Sequence, residues 1–72
     1  MYKIQFRIAD GDSWVTIAAV RVETVTEVLI YARSKICRRF NVAEVTLRPY
    51  AKHIWTVFSQ SSVMGFVKVT LH

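Results

Sequence analysis

Thr24-Val25-Thr26-Glu27-Val28-Leu29-Ile30-Tyr31-Ala32-Arg33-Ser34-Lys35-Ile36-Cys37-Arg38-Arg39-Phe40-Asn41 breaks the two-residue rhythm that governs the rest of the chain. Val25, Val28, Leu29, Ala32, Ile36 and Phe40 recur at three- and four-residue steps, the spacing of one face of an α-helix. Thr24 and Glu27 stand at the separation of a capping box, in which the threonine oxygen receives a free backbone N–H and the glutamate reaches back. Glu27 lies near the positive end of the helix dipole and Lys35, Arg38 and Arg39 near its negative end, each favourable by a few tenths of a kcal/mol. Asn41 tolerates the left-handed geometry that ends a helix. The spacing predicts a helix over residues 24–41.

On the N-terminal side, Tyr2, Ile4, Phe6 and Ile8 alternate with Lys3, Gln5 and Arg7, which predicts a strand over residues 2–9 with one dry and one wet face. Asp10-Gly11-Asp12-Ser13 supplies turn residues, and Trp14-Val15-Thr16-Ile17 resumes with high strand propensity, so the two runs read as a hairpin. The second run is apolar on both sides: Trp14, Thr16, Ala18, Val20 and Val22 share one register, and Val15 and Ile17 the other. A bulge near Ala18-Ala19 or a second buried face accounts for this pattern. Beyond the helix, residues 43–48, 54–59 and 63–71 are strand-like, separated by Arg48-Pro49-Tyr50-Ala51-Lys52 and Gln60-Ser61-Ser62. The order ββαβββ implies an α+β fold, a single antiparallel sheet of about five strands with one helix on one face. The expected core is Ile4, Phe6, Ile8, Val20, Val25, Leu29, Ala32, Ile36, Val45, Leu47, Val67, Val69 and Leu71.

Seventy-two residues, 53% of them apolar and 21% charged, make one domain over residues 1–72 with no linker, and exclude disorder. No apolar run approaches the length of a membrane span, and the Met1 end reads directly into an alternating pattern rather than a leader. A single cysteine, Cys37, can neither staple the fold nor supply a structural zinc site, so a cytoplasmic setting is expected. Ten Lys or Arg against five Asp or Glu give a net charge of +5, which serves solubility or favours an anionic partner.

No catalytic constellation emerges. Cys37 has no histidine near it in sequence and reads as a packing residue, and His53 and His72 alone make no metal site. Asp10 and Asp12 lack the closing glutamate of a calcium loop, and Gly11 and Gly65, the only glycines, form no phosphate-binding loop. The reading is therefore non-enzymatic, with no catalytic residue, metal or cofactor.

One helix leaves one sheet face bare. Alternation places Lys3, Arg7, Arg48, Lys68 and Phe66 on that face, with Trp55 as its expected strand-four aromatic. Cations framing rings stack single-stranded bases. They also make protein hot spots or bury themselves in a homodimer, and the residues alone leave these three open. A second basic group, Arg33, Lys35, Arg38 and Arg39, sits at the helix end, where it equally reads as a solvated complement to the dipole.

Val20-Arg21-Val22-Glu23-Thr24, then Thr26-Glu27-Val28-Leu29 entering a helix, then Glu44-Val45-Thr46-Leu47-Arg48-Pro49 follow in an order that resembles the middle of the small proteins by which T7-like phages inhibit bacterial RNA polymerase. The resemblance spans residues 20–50. It implies a short, non-enzymatic, phage-encoded inhibitor that docks on a large host machine. Of that family's polymerase-contacting arginines one falls on Arg48, while the other position is Thr46 here, and the family is not basic. The leading expectation is thus a basic protein-binding module, a phage or mobile-element regulator docking on an acidic protein surface of a host complex. The alternative is a nucleic-acid binder using the same face.

Overall fold

Strand alternation, two-residue turns and a doubly capped helix build the molecule, whose computed structural model describes residues 1–71. The elements are β1 (Tyr2–Ile8), β2 (Val15–Val20), α1 (Val25–Phe40), β3 (Thr46–Ala51), β4 (Ile54–Ser59) and β5 (Ser62–Leu71). All five strands join one antiparallel sheet in the order β2-β1-β5-β4-β3. The ββαβββ fold expected from the sequence is present, with α1 packed on one face of the sheet.

α1 begins and ends where its capping residues dictate. Thr24 is extended at φ −125° and ψ 153°, and its side-chain oxygen accepts the Glu27 N–H at 3.3 Å. Its hydroxyl donates to Glu27 Oε1 at 3.0 Å, so the glutamate meets the threonine side chain rather than its backbone. Asn41 takes φ 54° and ψ 46°, and the Asn41 and Val42 N–H groups both donate to the Cys37 carbonyl, closing the last turn.

The helix is the only link between β2 and β3, which lie at opposite edges. Five strands at about 4.8 Å spacing are roughly 19 Å wide, and sixteen helical residues at about 1.5 Å each reach about 24 Å. One helix can therefore cross the sheet from edge to edge. It buries Val28, Ala32 and Ile36 against Ile4, Phe6, Val20, Val45, Val57, Val67 and Val69, and Phe40 stacks on Phe6 with ring centres 5.1 Å apart.

This core corrects the expected one at several positions. Val28 and Val57 belong to it, whereas Leu29 and Leu47 are only half-buried at its margin. Ile8, Val25 and Leu71 are 51%, 39% and 70% exposed, because the helix stripe runs 28–32–36 and the ends of β1 and β5 extend past its cover. Gly65 is required where it stands: a Cβ there would meet the Arg7 carbonyl oxygen at 2.2 Å and Phe6 Cζ at 2.7 Å.

Three extra residues interrupt the ladders. Opposite β1, Ala18 pairs with Ile4 and Thr16 with Gln5, so the bulge is at Ile17, one residue before the expected place. Tyr50 is the extra residue of β3 and Met64 that of β5. β3 runs through Pro49, expected in a separator, because an edge strand needs no donor on its outer side. The β4–β5 turn places Gln60 and Ser61 at φ 51° and 69°, a left-handed pair that glycine and asparagine adopt more readily.

Two stability measurements check this description. Ile36→Ala should lower the urea-unfolding free energy by about 2–5 kcal/mol, while Leu71→Ala stays within about 0.5 kcal/mol of wild type. Ser61→Gly should raise stability by about 1 kcal/mol, since it removes a left-handed penalty of about 1–2 kcal/mol less the entropy that glycine adds to the unfolded chain.

Candidate functional site

The face opposite α1 is assembled by register. Arg7 lies across from Phe66, Phe66 from Thr56, and Thr56 from Arg48, one row running from β1 to β3. Gln5, Lys68 and Ile54 form the next row, and Lys3 stands across from Thr70. Lys3, Arg7, Arg48, Phe66 and Lys68, the expected members, are all brought together here. The strands contain no Asp or Glu, since Asp10, Asp12, Glu23, Glu27 and Glu44 all lie in turns or on the helix.

Trp55 does not join them. It stands across from Val67 and Pro49 in the register of the helix side and packs against the core. The strand-four aromatic of the bare face is Phe58, one of the residues in register with Thr56, and the Arg48 guanidinium lies 5.7 Å from its ring centre. β4 is apolar in both registers, so alternation within the strand alone does not distinguish its two sides.

Trp14 is the residue that sequence reasoning missed. In unbroken alternation it would share the register of Val20 and face the core. The bulge at Ile17 reverses the register, so that Val15 stands across from Phe6 while Thr16 and Trp14 turn to the bare face. There the Arg7 guanidinium lies 5.3 Å from the Trp14 ring centre and 4.9 Å from that of Phe66, and the Lys68 ammonium 4.4 Å from Trp14. Such contacts contribute about 0.5–2 kcal/mol each, depending on desolvation. Tyr50 at the β3 bulge, 66% exposed, packs on Phe66 with ring centres 5.1 Å apart. The side chains form a thin layer that leaves Thr56 beneath it buried. It also closes Arg7 Nε off from solvent with no hydrogen-bond partner among the described residues. The result is a line of contacting groups, Trp14, Arg7, Phe66 and Tyr50, with one cation among three rings, flanked by Lys68, Lys3 and Arg48.

The second basic group lies on the other layer. Lys35, Arg38 and Arg39 border an open cleft with Ile17, and the Lys35 ammonium sits 5.5 Å from the Tyr31 ring on the same helix. Arg33 lines a separate cleft with Cys37 and Glu44. The structure therefore does not combine the helix-end cations with those of the sheet. Cys37 is a free, half-buried thiol packed against the core, and His53 is in the β3–β4 turn. His72 lies outside the described residues. Among the described residues no three His, Cys, Asp or Glu side chains are grouped to hold a metal ion, and no helix is long and apolar enough to cross a membrane.

No family model matches this chain, and no curated protein or solved structure does either.

Proposed function

We propose that the chain is a small non-catalytic docking module that engages an anionic macromolecular surface through the bare face of its sheet. One observation carries this reading: the charged side chains of the five strands, Lys3, Arg7, Arg48 and Lys68, are all cationic and all lie on the one face that the helix leaves uncovered. A face shaped only for solubility mixes both signs. The rings between the cations add contact area of the kind that dominates binding energy at macromolecular interfaces. A module of this size acts by occupying a surface that a larger machine needs, the mode of action implied by the resemblance of residues 20–50, and Arg48, the position shared with that family, stands on this face.

Retention on immobilised heparin tests the assignment to a face. Lys3→Glu with Arg48→Glu and Arg38→Glu with Arg39→Glu each remove four units of charge, taking the chain from +5 to +1. The first pair should elute at clearly lower salt than the second, with circular dichroism confirming that both are folded. Equal elution would mean that net charge, and not this face, holds the polyanion.

A further inference from the structure

Resting on that reading of the face, we infer that its partner is single-stranded nucleic acid. The bare face combines aromatic rings with cations and carries no carboxylate. Trp14, Tyr50, Phe58 and Phe66 lie together on the wet side among the four cations, while Phe6, Tyr2, Trp55 and Phe40 pack on the helix side. Tyr50, 66% exposed and packed on Phe66, offers a ring on which a base can stack. A cationic surface with aromatic platforms is the combination that holds a single strand, the cations on its phosphates and the rings on its bases.

The layout of the face suits the same partner. Trp14 to Arg7, Arg7 to Phe66 and Phe66 to Tyr50 are steps of 5.3, 4.9 and 5.1 Å across the strands. A single strand presents a flat base and a phosphate at every nucleotide and can splay its bases onto exposed rings, while a duplex keeps its base faces inside the stack. Lys68, Lys3 and Arg48 flank the line as backbone contacts.

The two tryptophans provide a built-in readout, because Trp14 is on this face and Trp55 on the other. Fluorescence anisotropy of a labelled oligo-dT, read together with tryptophan emission, should show binding at low salt and quenching. The quenching should persist in Trp55→Phe and disappear in Trp14→Phe. The salt slope of log K should be near −3, at about −0.7 for each of four phosphate contacts, and Arg48→Gln should reduce it by about 0.7. Tyr50→Ala, at an exposed position, should weaken binding about 5- to 100-fold without changing the slope. Binding of poly-glutamate or duplex DNA as tight as that of oligo-dT would overturn this inference and leave the docking reading standing. Binding of oligo-dT without Trp14 quenching would likewise overturn it. Failure to bind any of these polyanions, with heparin retention equal in the two charge-reversal pairs, would overturn both.

Discussion

A single helix of sixteen residues has to connect the two edges of a five-stranded sheet, and in doing so it can shelter only one side. Most other features follow from that constraint. The sheltered side is packed mainly with aliphatic residues around Val28, Ala32 and Ile36 of the helix, which meet Val57, Val67 and Val69 of the central strands. The unsheltered side has no second helix, so its backbone is covered by its own long side chains. Arginine, lysine, phenylalanine and tryptophan lie over the strands closely enough to bury a threonine.

This solution carries an electrostatic cost. Like charges on neighbouring strands repel, and the sheet contains no carboxylate to neutralise them. The rings offset part of the repulsion, since Arg7, Lys68 and Arg48 each lie against an aromatic quadrupole. The remainder is left to solvent and counterions. An anion seated on this face would lower that repulsion, an effect distinct from any single contact.

Much of the architecture was legible in the residues, because periodicity and caps are local signals. The helix was bounded by Thr24 and Asn41 on chemistry alone, and the strand order in sequence followed from alternation and turn residues. Which side chains share a face was less legible. Alternation can be read along a strand only while the strand is unbroken, and the extra residues at Ile17, Tyr50 and Met64 each shift the count. Trp14 was hidden in this way, and Trp55 was assigned to the wrong side because β4 is apolar in both registers. Leu71 and Ile8 looked like core residues, since hydropathy says what can be buried and not how far the helix reaches. The order of strands in space depends on the pairing of β1 with β5, which no local signal encodes.

That pairing joins Tyr2 to Leu71, almost the whole length of the chain apart, at the middle of the sheet. The hairpin β1–β2 and the meander β3–β4–β5 are each closed by short local turns, so the sheet consists of two locally wired halves meeting along one seam. Loop-closure entropy makes the seam the last part of the ladder to gain from being formed. The basic and aromatic face is built across it, with Arg7 and Trp14 from one half set against Phe66 and Lys68 from the other. A ligand that touches both halves binds only the closed sheet and stabilises it by mass action. A partner that bridged both halves would make occupancy of the face and closure of the seam one linked equilibrium, and would act as the clasp of the fold.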